Sequence, residues 1–161
     1  MEYSEAYQRS RDIDWFFHAG NRCIHVASNA GKLPDFVNDI QRLRKEQADV
    51  FTLPDNQDAK VVETQYVYYR VQAFVEESQK KNLQADIQEI HDSYIASFLA
   101  MARKGFYSYD RDLDDDSRYI LICGPERPTQ IGLQLQEMNN EIEFEGESIE
   151  SFRIKTQYIE K

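Results

Sequence analysis

Residues 12–28 read Asp12-Ile-Asp-Trp-Phe-Phe-His-Ala-Gly-Asn-Arg-Cys-Ile-His-Val-Ala-Ser28, two largely apolar runs on either side of Gly20-Asn21. Glycine and asparagine tolerate the positive φ angles of a two-residue loop, so this pattern predicts a β-hairpin that turns at these residues. Counting outward from the loop gives the predicted cross-strand pairs: Ala19 with Arg22, His18 with Cys23, Phe17 with Ile24, Phe16 with His25, and Trp15 with Val26.

This register divides the hairpin into two faces, because side chains alternate along a strand. One face is apolar and is predicted to join the core: Ile13, Trp15, Phe17, Ile24 and Val26. The other face is mixed and holds two of the three histidines and one of the two cysteines: Asp14, Phe16, His18, Cys23 and His25. The mixed face is the first candidate site.

Three residues of the mixed face suggest a metal site: His18, Cys23 and His25. Cross-strand neighbours have Cβ atoms about 5 Å apart, and two imidazoles with one thiolate suit zinc. Three ligands with an open fourth position would form the site of a metal-dependent enzyme. A Cys–His nucleophile is another option, and two polar histidines beside a buried thiol are the ordinary alternative. Since no HExxH or CxxC spacing accompanies these residues, no cofactor is expected and zinc is kept as the alternative.

Length and element order predict a single α+β domain over residues 1–161. A chain of this size fits one domain and can bury a full core. The predicted elements are strand-rich at the start, helical in the middle and strand-rich at the end. That order favours a mostly antiparallel sheet on which two to three helices pack.

Helical periodicity is clearest over residues 82–104, where Asn82 is the expected N-cap and Gly105 the expected stop. Another helix is predicted over residues 34–47. Residues 60–79 fit a helix or a strand, and their length and charged end favour a helix. Later strands are predicted at 106–109, 119–123, 142–145 and 148–158.

The net charge of −10 argues against nucleic acid and anionic membrane surfaces as partners, because both require clustered Lys and Arg. A basic protein partner is compatible with this charge, and so is simple solubility. Two cysteines are too few for a disulfide framework. The sequence shows no apolar run of membrane-spanning length and no apolar segment in its first fifteen residues, as a signal peptide would have. These features predict a cytoplasmic protein.

The acidic segment of the last third is the second candidate site, and its carboxylates are Asp110, Asp112, Asp114, Asp115 and Asp116. The first three match the start of a calcium loop. An EF-hand is excluded, because Asp115 replaces the required glycine and Leu121 the bidentate glutamate. A looser oxygen site, a solvated loop and a docking surface for a basic partner remain open.

Negative charge is concentrated around this segment. Residues 106–161 contain 13 acidic and 6 basic residues, a net charge of −7. This asymmetry favours the docking surface, which would consist of the acidic loop and the C-terminal strands.

Two further features are assigned structural roles. His91 lies beside the apolar stripe of the predicted long helix, which favours a boundary histidine with satisfied hydrogen bonds. The cluster Tyr66-Val-Tyr-Tyr69 is predicted to fill core and interface, because no basic groove accompanies it.

The hairpin and its continuation resemble a known kind of protein. Asp12-Ile-Asp-Trp-Phe16, Ile24-His-Val-Ala-Ser-Asn-Ala-Gly31 and Leu33-Pro34 are similar to the opening of small bacterial proteins associated with polymorphic-toxin immunity. The segment Met-Ala-Arg-Lys-Gly-Phe-Tyr-Ser-Tyr-Asp, which ends at Asp110, is also similar. The match covers about a third of the chain. It implies a non-enzymatic cytoplasmic protein that binds and blocks a toxin, and it transfers no binding residues.

Together these observations predict a non-enzymatic acidic binding protein, in its specific form an antidote that occludes a basic toxin. A metal-dependent enzyme with its site on the N-terminal hairpin is the main alternative. A self-associating structural protein is the third possibility.

Overall fold

The computed structural model describes residues 1–146 and 148–159, which form a seven-stranded sheet with helices on it. The helices are α1 (Glu5–Arg9), α2 (Ile40–Phe51), α3 (Gln65–Lys80) and α4 (Ile87–Arg103), with a short 3-10 turn at Thr156–Tyr158. The strands are β1 (Asp14–Ala19), β2 (Arg22–Ala27), β3 (Ala59–Val61), β4 (Phe106–Arg111), β5 (Arg118–Pro125), β6 (Ile142–Phe144) and β7 (Ser151–Ile154). The predicted α+β class is confirmed.

The strand order is β1-β2-β4-β5-β7-β6, and β3 pairs with the end of β5 that β7 leaves free. Neighbouring strands are antiparallel except β2 and β4, which run parallel. A parallel pair needs a long crossover connection, and the segment that carries α2, β3, α3 and α4 provides it. The sheet is therefore mostly antiparallel, as predicted, with one parallel pair near its middle.

The N-terminal hairpin has the predicted register at every position. Gly20 takes a φ of +59° in the loop, which is the conformation that such a turn requires. The predicted core face, which carries Trp15 and Phe17, lies in the main hydrophobic cluster. All five residues of this face are at most 6 % exposed.

The two faces of the sheet bury two different cores. On one face, Trp15 and Phe17 pack with aromatic residues of later strands, among them Phe152. On the other face, α3 and α4 cover Ile122 and Cys123 of β5. Since β5 is buried from both sides, its side chains are apolar at successive positions, as the sequence indicates.

Helix boundaries follow the capping residues more closely than the apolar periodicity. The helix predicted from residue 34 begins at Ile40, because Asp39 caps it. The long helix begins at Ile87, because Asp86 accepts hydrogen bonds from two backbone N–H groups of its first turn. Asn82 instead takes a φ of +56° just after α3. The helical interpretation of residues 60–79 is confirmed by α3, with β3 before it.

A buried arginine holds the turn that follows the hairpin. Arg111, at the end of β4, donates from Nε to the Ser28 carbonyl at 2.9 Å and from Nη2 to the Asn29 carbonyl at 2.8 Å. In this turn Asn29 and Ala30 take φ angles of +49° and +58°. Gly31 lies so close that an added Cβ would be 2.0 Å from Arg111 Nε. We name this arrangement the Arg111 clamp. It ties the end of β2 to the end of β4.

Candidate functional site

The three predicted metal ligands of the mixed face, His18, Cys23 and His25, lie in different surroundings. His18 and Cys23 are cross-strand partners and half-buried, whereas His25 is buried with both ring nitrogens hydrogen-bonded to other groups. Within residues 1–146 and 148–159, no group of three or more His, Cys, Asp or Glu is arranged to hold a metal ion. Burial also raises the pKa of the Cys23 thiol, which disfavours the thiolate that a zinc ligand or a nucleophile requires.

His25 joins Asp14 and Ser108 in a hydrogen-bonded chain across three strands. Its Nε2 is 2.8 Å from Asp14 Oδ1, and its Nδ1 is 2.6 Å from Ser108 Oγ. His25 and Ser108 are direct partners on the parallel strands β2 and β4. The imidazole also packs against the rings of Phe16 and Phe98. Both ring nitrogens therefore have partners inside the protein.

These three residue types are those of a serine-hydrolase triad, but their exposure is reversed. In a triad the serine faces the substrate and the carboxylate is buried. Here Ser108 is 0 % exposed, whereas the Asp14 side chain is 47 % exposed. A substrate carbonyl cannot reach Ser108 Oγ, so the arrangement satisfies buried polar groups and does not perform acyl transfer.

The acidic segment forms the loop between β4 and β5, with the exception of Asp110. Asp110 belongs to β4, and its side chain is only 3 % exposed. A protein partner cannot contact a carboxylate that is buried beneath the surface. We therefore remove Asp110 from the predicted contact surface.

Arginines neutralise three of the remaining carboxylates. Asp112 pairs with Arg118 at 2.9 Å, and Asp115 pairs with Arg153 at 2.5 Å. Asp116 pairs with Arg9 at 2.8 Å and with the Arg111 clamp at 3.1 Å, so it too is compensated. Asp114 is exposed, and it makes no ion pair with another residue that the structure describes. Three further charged residues of the acidic last third lie outside the described residues: Glu147, Glu160 and Lys161.

Asp114 lines a groove of about 420 Å³ between the acidic loop, the start of α3 and the β5–β7 edge. We name it the acidic groove and define it by Tyr66, Tyr69, Asp112, Asp114, Arg118 and Glu150. Its carboxylates outnumber its single cation. Tyr69 is 51 % exposed, and Glu150 is exposed as well. An exposed tyrosine beside unpaired carboxylates is a combination suited to contact with a basic protein surface.

Of the prediction that the tyrosine cluster fills core and interface, the core part is wrong for two of its members, and the interface part stays a prediction. Tyr68 and Tyr69 are 64 % and 51 % exposed, because α3 buries the stripe formed by Val67, Val71 and Val75. Tyr66 is half-buried, and its hydroxyl donates to the Arg111 carbonyl at 2.8 Å. The valine spacing of four residues is the signal in the sequence that points Tyr68 and Tyr69 away from the core.

His91 has the predicted structural role. Its Nε2 lies 3.0 Å from Glu63 and its Nδ1 lies 3.1 Å from Asp92. The hydrogen bond to Asp92 is the main cause that raises the pKa of this imidazole. His91 is therefore a satisfied histidine at the edge of α4.

The buried Asp110 carboxylate lies between two helices. The Tyr94 hydroxyl of α4 donates to Asp110 Oδ2 at 2.7 Å, and Arg70 Nε of α3 is 4.0 Å from the same oxygen. Burial raises the pKa of Asp110 to about 7, although Tyr94 and Arg70 both favour the charged form. Asp110 therefore titrates near neutral pH.

We expect Asp110→Asn to stabilise the protein more strongly at pH 8 than at pH 5. The carboxyl has a pKa of about 7 when folded and of about 3.9 when unfolded, so between these values the folded state holds a proton that the unfolded state has lost. Wild-type stability therefore falls as the pH rises through this window, and the neutral amide removes that fall. The gain should grow by roughly 3 kcal/mol between pH 5 and pH 8 in urea unfolding. Asp114→Asn is the exposed control, and an equal gain at both pH values for Asp110→Asn would contradict the assignment.

No helix in the described part of the chain is long and apolar enough to cross a membrane. No family model matches this chain, and no curated protein or solved structure is similar enough to it to count as a match. The resemblance to immunity-type proteins therefore stays a prediction.

Proposed function

We propose that the protein is a non-enzymatic binding protein whose acidic groove receives a basic segment of a protein partner. The observation that carries this proposal is the position of half-exposed Tyr69 in one groove with the carboxylates of Asp114 and Glu150. Neither carboxylate makes an ion pair with another described residue. Both are therefore available to a cation from outside.

The charges of the groove favour a partner rich in lysine and arginine. Its single cation, Arg118, is held by Asp112 at 2.9 Å and by Glu145 at 2.7 Å, so its charge is compensated within the protein. Asp114 and Glu150 then give the groove a negative potential that attracts a basic surface and speeds encounter. Tyr69 offers an aromatic ring, on which a guanidinium or ammonium group stacks favourably.

The antidote role is the specific form of this proposal. It is supported by the resemblance of the N-terminal hairpin to immunity-type proteins and by the concentration of acidic residues in the last third of the chain. In this role the partner is a toxin, and the acidic groove occludes a basic surface that the toxin needs for its activity.

The test compares proteins captured from the native host by three immobilised variants. Asp114→Lys/Glu150→Lys reverses two charges of the acidic groove and leaves the arginine pairs of Asp115 and Asp116 intact. The matched control, Glu76→Lys/Glu126→Lys, makes the same change in net charge at two exposed residues outside the groove. We expect the wild type and the control to capture the same amount of one basic protein. The groove variant should capture less of that protein, by a factor of about ten or more.

Salt provides a second arm of this experiment. Raising the ionic strength from about 0.15 M to about 1 M shortens the Debye length from about 8 Å to about 3 Å, which should release the captured protein. Equal capture by the groove variant and the control would refute the proposal. Capture that survives high salt unchanged would do the same.

The antidote role is tested with the captured protein itself. Its gene should arrest growth when expressed alone, and co-expression of the wild type should restore growth. The groove variant should not restore it. A captured protein that leaves growth unchanged would limit the function to binding and exclude the antidote role.

A further inference from the structure

A cavity of about 450 Å³ lies between α3, α4 and the ends of β2 and β4. Its volume is in the range of small-molecule sites. One part of its wall is polar and contains Asp12, Arg70 and Asp110, and the other two charged lining residues, Glu77 and Lys81, pair with each other at 3.2 Å. Another part is apolar and includes Phe74 and Phe98.

Arg70 is the feature of this cavity that points to a ligand. Its side chain is only 12 % exposed, and its buried Nε has no hydrogen-bond partner among the described residues. The guanidinium lies over the rings of Phe74 and Tyr94, at 4.8 Å and 5.5 Å from their centroids. Aromatic rings accept no strong hydrogen bond, so these contacts do not satisfy the donors of the guanidinium. Nε is closed off from the cavity and lies 4.0 Å from Asp110, so a ligand carboxylate would meet the Nη edge of the guanidinium, whose planar fork matches a carboxylate.

Asp110 supplies the opposite charge. Its carboxylate is 4.0 Å from Arg70 Nε and receives one hydrogen bond, from Tyr94. Asp12 also lines the cavity, and the Asn29 N–H donates to its Oδ1 at 2.9 Å. Burial keeps the Asp110 carboxyl partly protonated near neutral pH. A ligand ammonium group would compensate the carboxylate and favour its charged form.

A ligand of one charge sign fits this cavity poorly. An anion on Arg70 would lie next to Asp110, and a cation on Asp110 would lie next to Arg70. A zwitterion satisfies both groups at once. Because the two protein charges are only 4.0 Å apart, the ligand charges must also be adjacent, as they are in an α-amino acid and not in a long ω-amino acid.

We propose that this cavity binds an α-amino acid with an apolar side chain. Its carboxylate pairs with Arg70, its ammonium group pairs with Asp110 and faces Asp12, and its side chain packs against Phe74 and Phe98. This binding is independent of the acidic groove, so the two proposals can fail separately.

The first test uses the wild-type protein and three related compounds in calorimetric titrations: L-phenylalanine, phenethylamine and 3-phenylpropionate. The amine lacks the carboxylate, and the acid lacks the ammonium group. We expect saturable binding of L-phenylalanine, and binding about tenfold weaker or less for each single-charge analogue. The proposal is overturned if L-phenylalanine shows no saturable binding, or if either analogue binds as tightly as the amino acid does.

The second test uses variants. Arg70→Gln and Asp110→Asn should each weaken L-phenylalanine binding about tenfold or more, because each removes one charge pair. Arg103→Gln, at an exposed position near the end of α4, is the matched control and should bind like the wild type. The groove variant Asp114→Lys/Glu150→Lys should also keep its binding. Wild-type affinity in both cavity variants would contradict the assignment, and the analogue series decides the question if a variant fails to fold.

Discussion

Replacing Phe152 by alanine is expected to lower the free energy of unfolding by about 3–5 kcal/mol. Phe152 is 0 % exposed and lies in the middle of an aromatic cluster. Its ring contacts the rings of Phe17, Tyr109, Tyr119 and Phe144, at centroid distances of 4.8 to 5.9 Å. Removing it leaves a cavity between strands from both ends of the chain. The rigid rings around that cavity cannot move together to fill it, so relaxation of the core should not reduce the loss of unfolding free energy.

Urea unfolding monitored by circular dichroism measures this effect. Phe51→Ala is the matched control, because Phe51 is 82 % exposed and its removal should change stability by about 0.5 kcal/mol or less. If Phe152→Ala were as mild as the control, the central place of Phe152 in the core would be wrong.

Gly31→Ala is the second change with a large expected effect, a loss of about 3 kcal/mol. The added methyl group would lie 2.0 Å from Arg111 Nε and 2.1 Å from Cδ, so the Arg111 side chain must move. That movement breaks the hydrogen bonds to the carbonyls of Ser28 and Asn29. The guanidinium then loses two of its hydrogen bonds in a largely buried place, and the Asn29 carbonyl loses its arginine donor, whereas the Ser28 carbonyl still accepts from the Gly31 N–H.

A double-mutant cycle separates this mechanism from a general intolerance of the turn. Gly31→Ala should cost much less in an Arg111→Ala background, so the two single losses should exceed the loss of the double variant by about 2 kcal/mol. Gly132→Ala is the control, because an added Cβ there meets no atom within 4 Å. Additive losses would show that the clash with Arg111 is not the cause.

The parts of the fold that were predictable are those in which neighbouring residues decide the structure. The Gly20-Asn21 loop determines the register of the first hairpin, and alternation then assigns Trp15 and Phe17 to the core. Helical periodicity locates α4, and the charged end of residues 60–79 favours α3. The caps at Asp39 and Asp86 place the starts of α2 and α4 later in the chain than the periodicity predicts.

The candidate site was less predictable because it depends on contacts between distant segments. The pairing of β2 with β4 brings Ser108 next to His25 and places Asp110 near the helices. No local sequence pattern predicts a parallel pair between residues more than eighty positions apart. The acidic loop was recognised from composition. Composition does not show which of its carboxylates meet arginines from elsewhere in the chain. Among the described residues, these pairs leave Asp114 as the loop carboxylate without an arginine partner.

Site-specific photo-crosslinking tests the central claim, that the acidic groove contacts a basic protein. A photoreactive p-benzoylphenylalanine would be placed at Tyr69 inside the groove or, as the control, at Tyr68. Tyr68 lies on the same helix and is even more exposed, but it does not line the groove. Irradiation of the native host should give an adduct with a basic protein from position 69, and that adduct should disappear with Asp114→Lys/Glu150→Lys. Equal adducts from positions 68 and 69, or no adduct from position 69, would contradict the claim.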